Sequence, residues 1–424
     1  MVVRTQKVRL YPSPQMQQVL DDLCDYRRYC WNQGLALWQD LYFNRQVMFS
    51  DELKQKLQLY AKELRKPKAK RKSIDFTSKE ANLLELCPSP SAQNVRNIMV
   101  NEKQDWQDKL SARCLQLAIS DLGKAWANFF NKAQPDWGMP KFKSKKAPRQ
   151  GFKTDRAQII ENKLLLDRPH YADISKKDWQ PVKFKGAKTL NGKLGVVSVY
   201  RENGKYYASL PFKIEVQEKG KTGKKTAVDV NVGHLNYTEG VIDTLPQRLE
   251  KLYLRIKHYQ RLLARKRNAN GKLATQSNNY VKTRAKLQRD YRKVANIQHD
   301  LMHKFTTKLV GQYDTIVIED LNVKGMQMSH VASKGLQRSM FGLFKQVLSY
   351  KCDWYGKELI LADRFYPSTQ RCSHCGHVKT GEDKITLVGN KKHGTKHNEY
   401  ICYECNFVCD RDVNAVMNLL ALAQ

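Results

Sequence analysis

YECNFVCDRDVNAVMNLL, residues 403–420, decides how this chain is read. It begins in a metal knuckle and ends in an amphipathic helix, with two carboxylates, Asp410 and Asp412, at the join. Either aspartate could be an N-cap, because a side-chain oxygen there satisfies free helix N–H groups. The other reading is that the knuckle delivers a carboxylate to a site completed by distant parts of the chain.

Working outward, Cys402 and Cys405 form one C-x2-C pair and Cys372 and Cys375 another, about 25 residues earlier. Five of the ten cysteines cluster after residue 371, whereas Cys24, Cys30, Cys87, Cys114 and Cys352 are scattered. That pattern fits a reducing cytosol and a metal site, not a disulfide framework. Four thiolates on two knuckles close a tetrahedron around one Zn²⁺ with no open position, so the expected site is structural. His393 and His397, spaced H-x3-H, offer a competing two-cysteine, two-histidine site with Cys372 and Cys375, which would strand the second knuckle. His374 and His377 are poorer candidates, and Cys409 reads as a small buried residue.

Three carboxylates stand in unusual places. Asp229 lies mid-strand in TAVDVNV, where an ionised side chain is costly unless a cation or hydrogen bonds compensate it. Glu319 ends the strand TIVIE and Asp412 opens a helix. Singly, Glu319 could mark a strand end and Asp412 a cap. Together they match the carboxylate cluster that holds two Mg²⁺ ions for phosphodiester hydrolysis. Ligands on two neighbouring strands and a nearby helix form the layout of an RNase H-like fold, and the zinc ribbon becomes an insertion in it. Asp320 and Asp363 read as supporting or structural carboxylates near strand ends.

The 424 residues suggest two to four domains. Lys and Arg number 75 against 41 Asp and Glu, a formal net charge of +34. A polyanionic partner relieves such self-repulsion, and nucleic acid is the natural candidate. No apolar run approaches the roughly 18 residues of a membrane span, and no helix convincingly pairs an apolar with a basic face in the manner of a membrane-surface helix. MVVRTQKVRLYP at the start lacks the apolar core of a signal peptide, so a cytoplasmic location is expected.

Residues 1–12 read as a strand, and 14–134 as a helical region with apolar positions at helical spacing. Within it the basic run 61–72 is either a solvated loop or a phosphate contact. Near Pro135 the chain turns basic and turn-rich, and a hairpin follows around Asn203-Gly204. Residues 218–225 resemble a linker. A strand and hairpin come next, then an antiparallel pair of long helices whose polar faces carry Arg261, Arg265, Arg267 and Arg284 with little acid. A strand (DTIVIEDL), a helix and a strand (ELILADRF) lead into the cysteines.

Several segments are distinctive in combination: LYPSPQMQQVLDDLCDYRRYCWNQGLAL, LQLAISDLGKAWANFF, GMPKFKSKK, ANIQHDLMHKFTTKLV, IVIEDLNVKGM, LSYKCDWYGKELILADRFYPSTQRCSHCG and CDRDVNAVMNLL. Nearly the whole chain resembles the TnpB family, transposon-encoded relatives of compact type V CRISPR effectors. The resemblance implies a multidomain α+β and α/β architecture. A β-barrel wedge domain (1–13 and 135–220) is interrupted by a helical recognition lobe (14–134). A RuvC-like nuclease (221–370 and 410–424) follows, carrying a zinc-ribbon insert (371–409). It also implies an RNA-guided DNA endonuclease of prokaryotic cytoplasm, associated with the nucleoid when on DNA. Its triad falls on Asp229, Glu319 and Asp412. Its partners are a guide RNA and double-stranded target DNA, recognised beside a short DNA motif. Arg27, Arg28, Lys141, Lys143 and the four helix arginines are candidate nucleic-acid contacts. The family's usual glycine two residues after the first aspartate is Asn231 here, and the glycine after the second knuckle is Asn406. A nuclease-inactive RNA-guided repressor, a transposase acting on transposon ends, and a CRISPR rather than transposon origin remain alternatives, and oligomeric state is left open.

Overall fold

Ser13 accepts a hydrogen bond from Met16 N at 3.3 Å and Pro14 opens the helix behind it, so a cap and a fixed φ turn the first strand into the first helix. The computed structural model describes the chain except residues 132–136, 187–191, 217, 272–274, 276, 323–337, 387 and 424. Pro135 and part of IVIEDLNVKGM therefore lie outside the described residues. Residues 3–215 and 216–424 form two compact units.

In the first unit, β1 (Val2–Tyr11) is followed by α1 (Pro14–Met48), α2 (Asp51–Leu64), α3 (Ser78–Leu86), α4 (Ala92–Asn101) and α5 (Ala112–Phe129). The strands resume with β2 (Arg149–Thr154), β3 (Gln158–Ile160), β4 (Lys163–Leu165), β5 (Val182–Lys185), β6 (Lys193–Leu194), β7 (Val197–Glu202) and β8 (Lys205–Ile214). The sheet order is β2-β7-β8-β1-β5-β4-β3, with β6 on β8. The first strand in sequence is thus central, and the helices are an insert between β1 and β2, as the sequence predicts. Asn203 and Gly204 take φ of +49° and +69°, the left-handed pair that closes the β7–β8 hairpin. The basic run 61–72 ends α2 and continues as exposed loop and a short 3₁₀ turn.

Helices α1 and α5 meet through Leu35 and Trp38 on one side and Ile119, Leu122 and Trp126 on the other; the two indoles stack 5.7 Å apart. Gly34 is what lets them approach, because a Cβ there would run into the Ile119 side chain and touch Leu122 and Met99 at 3.4 Å. Cys24, Cys30, Cys87 and Cys114 are buried and unpaired in this unit, as is Cys352 in the other.

The second unit opens with β9 (Lys225–Val230), whose first residue is the last of the expected linker, then β10 (His234–Tyr237) and β11 (Gly240–Asp243). Helices α6 (Gln247–Asn270) and α7 (Asn278–Gln312) precede β12 (Thr315–Glu319), α8 (Phe341–Tyr355) and β13 (Glu358–Ala362). The ribbon strands β14 (Glu399–Ile401) and β15 (Val408–Asp410) lead to α9 (Arg411–Leu420). The main sheet runs β11-β10-β9-β12-β13, antiparallel on the β10 side and parallel from β9 to β13. This mixed sheet has the strand order and directions expected of an RNase H-like core.

Side chains alternate across each strand. Val228, Val230, Ile316 and Ile318 face α7 and α8, packing on Phe305, Leu309, Phe344 and Leu348. Ala227, Val317 and Ala362 face the other way, onto Val416 and Leu419 of α9. Asp229 and Glu319, one residue out of step with the first set, belong to the α9 face. In the α6–α7 hairpin Leu249, Leu252 and Ile256 pack on Val294, and buried Asp290 accepts Arg255 Nε at 2.7 Å. Phe305 of α7 serves the sheet core rather than the hairpin, because α7 outruns α6.

Gly34→Val is expected to destabilise the first unit by about 1–3 kcal/mol through overpacking of α1 on α5, read as an earlier urea transition.

Candidate metal centres

Asp229 sits opposite Asn236 of β10, and the β9–β12 register pairs Val228 with Ile318, so Glu319 comes next to Asp229. The Asp229 side chain is only 3% exposed. Asn231 Nδ2 donates to its Oδ2 at 2.7 Å. Burial, then the charges of Glu319 and Asp412, push its carboxyl up to about 7 despite that hydrogen bond and nearby Arg411. Burial also raises Glu319, opposed by Ser368 Oγ, which donates to Glu319 Oε1 at 2.5 Å.

The two readings of the aspartate pair are separated by α9 itself. Asp410 is the cap: its Oδ1 accepts Asp412 N at 2.9 Å and Val413 N at 3.3 Å. Asp412 is thereby released to the sheet. Its Oδ2 accepts Asn236 Nδ2 at 2.9 Å and lies 3.1 Å from His234 Nε2. His234 and Asn236, two apart on β10, share the carboxylate face. This donor set of hard oxygens, with one carboxyl whose ionisation is disfavoured by burial and by two neighbouring carboxylates, fits divalent cations such as Mg²⁺.

The ribbon is more tightly gathered. The ligand atoms of Cys372, Cys375, Cys402 and Cys405 all lie within 4.8 Å of one another, and among the described residues they alone form so close a group of three or more metal-type side chains. Sγ–Sγ separations are 3.8 Å (Cys372–Cys405) and 3.6 Å (Cys375–Cys402). Sulfurs at the corners of a Zn–S tetrahedron of about 2.3 Å sit about 3.8 Å apart, so the four fit one structural Zn²⁺. Burial raises the Cys402 thiol, but the N–H groups of Cys405 and Glu404 and the neighbouring thiols outweigh it and bring it down to about 7. Each knuckle turns back on its first cysteine, Gly376 N to Cys372 O and Asn406 N to Cys402 O. Asn406 takes φ +56° there, a left-handed conformation that asparagine tolerates. His393 is committed elsewhere: Nε2 meets Asp383 Oδ1 at 2.8 Å and the ring stacks on Tyr403. His397 is exposed and His374 stacks on Phe407. Cys409 is half-buried against the ribbon core.

Sequence reasoning missed the side chains that join ribbon to sheet. Asn414 and Asn418 of α9 are buried, 0% and 3% exposed. Asn414 Nδ2 donates to Arg371 O at 2.7 Å and its Oδ1 accepts Ser373 N at 3.0 Å. Asn418 Nδ2 donates to Ser368 O at 2.9 Å and Arg371 O at 2.6 Å. Their i, i+4 spacing in an otherwise apolar stripe was the available signal. Asn236 and His234 were marked only by alternation in a hairpin, and Ser368 by nothing local.

Family comparisons match three segments: a helix-turn-helix domain of IS605 OrfB proteins over residues 1–46, a "Probable transposase" of the same OrfB type over 209–330, and a "Cas12f1-like, TNB domain" over 341–419. The "Putative RNA-guided DNA endonuclease" of Streptomyces pristinaespiralis is 29% identical over 322 residues, 76% of this chain and 73% of that protein. The "Putative RNA-guided DNA endonuclease InsQ" of Escherichia coli K12 is 27% identical over 339 residues, 74% and 75% of the two chains. "TnpB-like protein L79" of Acanthamoeba polyphaga mimivirus is 28% identical over 194 residues, 44% of this chain and 33% of its own. The chain is similar to the TnpB family. The segment matched as helix-turn-helix is strand β1 and most of the single helix α1. No helix among the described residues is long and apolar enough to cross a membrane.

The expected nucleic-acid contacts divide by environment. Arg27 pairs with Asp121 at 2.6 Å and Arg28 with Asp25 at 2.5 Å. Lys143 Nζ lies 3.5 Å from the Trp31 ring centre, and burial, with Arg27 nearby, lowers its pKa to about 8. The Lys141 carbonyl accepts Trp31 Nε1, while its side chain is exposed. Arg261, Arg265, Arg267 and Arg284 are all exposed on α6 and α7.

Asp229 keeps its proton to about pH 7 when folded, against an ordinary value of 3.8. The unfolded chain therefore binds fewer protons between about pH 4 and 7, and metal-free stability falls across that window and levels off above it. Asp229→Asn should remove this slope and stabilise the metal-free protein at pH 8 by on the order of a few kcal/mol, measured by melting in chelator at pH 5 and 8. Cys402→Ser should lower bound zinc from one per chain to none by atomic absorption and unfold the ribbon, seen as new protease sensitivity in residues 371–409.

Proposed function

We propose that this chain is an RNA-guided DNA endonuclease that hydrolyses target DNA at the single site of Asp229, Glu319 and Asp412. The observation that carries the reading is the buried Asp229 carboxyl, raised to about 7 by burial and by two other carboxylates on one sheet face. A cluster that disfavours its own charge is a cation site in a chain whose net charge of +34 otherwise suits a polyanion. Two Mg²⁺ ions bound there would supply an activated water and stabilise the leaving 3′ oxygen. The protein's own part is positional: Asn231 steadies Asp229, Ser368 steadies Glu319, and Asn236 with His234 steadies Asp412.

In this reading 1–13 and 135–220 act as the wedge, 14–134 as the recognition lobe, 221–370 and 410–424 as the nuclease, and 371–409 as the target-binding ribbon. Guide RNA pairs with one target strand, and the protein reads a short motif beside it. The exposed arginines of α6 and α7 contact phosphates. The names of the Streptomyces and Escherichia relatives, and the resemblance over nearly the whole chain, support this assignment.

The test is to purify the chain with its native flanking DNA present and sequence the RNA that accompanies it. The RNA complex should linearise a guide-matched plasmid in Mg²⁺, and Asp229→Ala should abolish cutting while retaining the RNA. Guided binding without cutting by the unmutated chain would identify a repressor. Strand joining at transposon ends without RNA would identify a transposase.

A further inference from the structure

Strand β13 ends at Ala362, level with Glu319 of β12. The chain then turns at once, with Phe365 N bonded to Asp363 Oδ1 at 2.8 Å and Tyr366 N to Asp363 O at 3.0 Å. Arg364 reaches Asp320, the residue after Glu319, at 3.2 Å. Tyr366 Oη donates to Asn418 O of α9 at 3.1 Å, and Ser368 holds Glu319. The side chains on either side of Phe365 are thus fastened, Arg364 to Asp320 at the end of β12 and Tyr366 to the helix that carries Asp412. The Phe365 ring is 87% exposed, the most exposed aromatic among the described residues.

A lone exposed apolar side chain is ordinary on a protein surface. Phe365 differs because its backbone is fixed by two hydrogen bonds and three residues of chain, at most about 11 Å, separate it from the serine on Glu319. An exposed aromatic ring carried on a hydrogen-bonded turn close along the chain to the serine that holds Glu319 is suited to stack on a nucleobase. Duplex bases have both faces covered by their neighbours, so only an unpaired, unstacked base can offer one.

We propose that Phe365 is a stacking platform for a base of single-stranded DNA next to the scissile phosphate, so that the strand enters the carboxylate site unpaired. This rests on the nuclease reading above, and its test separates the two. The purified RNA complex is mixed, in chelator, with single-stranded oligonucleotides carrying 2-aminopurine at scanned positions. Fluorescence should be quenched at one or two adjacent positions. Phe365→Ala should lose the quench and weaken binding about tenfold, whereas Phe365→Trp should keep both. Melting temperature should be unchanged in both variants, and a duplex of the same sequence should show no quench. In Mg²⁺, single-turnover cutting by Phe365→Ala should fall by a similar factor. An unchanged quench and affinity in Phe365→Ala overturns the proposal, whether or not the chain cuts DNA. A Phe365-dependent quench in a chain that never cuts upholds the stacking site and overturns the nuclease reading instead.

Discussion

Helix α9 must satisfy two neighbours at once, and the second unit depends on its doing so. Val416 and Leu419 fill the sheet face opened by Ala227, Val317 and Ala362. On another side of the helix, Asn414 and Asn418 direct buried carboxamides at the carbonyls of Ser368 and Arg371. A buried amide left without partners costs about 1–3 kcal/mol, so neither contact can be surrendered cheaply. The helix is pinned between sheet and ribbon, and Asp412 at its first turn has one place to go. The zinc site then has a role beyond its own fold: it shapes the knuckle whose backbone these amides grip.

The price of that placement is electrostatic. Three carboxylates share one sheet face with Asp229 buried among them, and the protein answers mostly with neutral donors and a single arginine. Asn231, Asn236 and Ser368 each give one hydrogen bond to one carboxylate, and Arg411 stands 3.4 Å from Asp412. Neutral donors orient carboxylates without cancelling their charge, and so leave the cluster competent for a divalent ion. The loop after β13 belongs to the same construction, because one turn delivers Ser368 inward and Phe365 outward.

The first unit shows a different economy of charge. Asp121 takes both Arg27 and Lys153, and Trp31 takes Lys143, so several cations of the basic chain are absorbed where helix meets sheet. On α6 and α7 Arg261, Arg265, Arg267 and Arg284 stay on the surface, while Arg255 pairs with buried Asp290. A composition-level excess of +34 is therefore distributed unevenly between internal pairing and open surface.

What was legible in the sequence was whatever rests on local spacing. Two C-x2-C pairs anticipate the four-sulfur group, β-branched runs and Asn203-Gly204 anticipate the hairpins, and an acidic residue inside an apolar strand marks Asp229. The choice between Asp410 and Asp412 was open in the sequence, since either oxygen can reach a free N–H two or three residues on; the fold decides it by seating Asp410 on β15, opposite Glu399. That α7 serves two cores, that β1 lies in the middle of its sheet, and that Asn236, His234 and Ser368 reach the carboxylates were decided only by tertiary structure. These contacts join residues tens to nearly two hundred positions apart, and spacing along a chain carries no record of which distant strand becomes a neighbour.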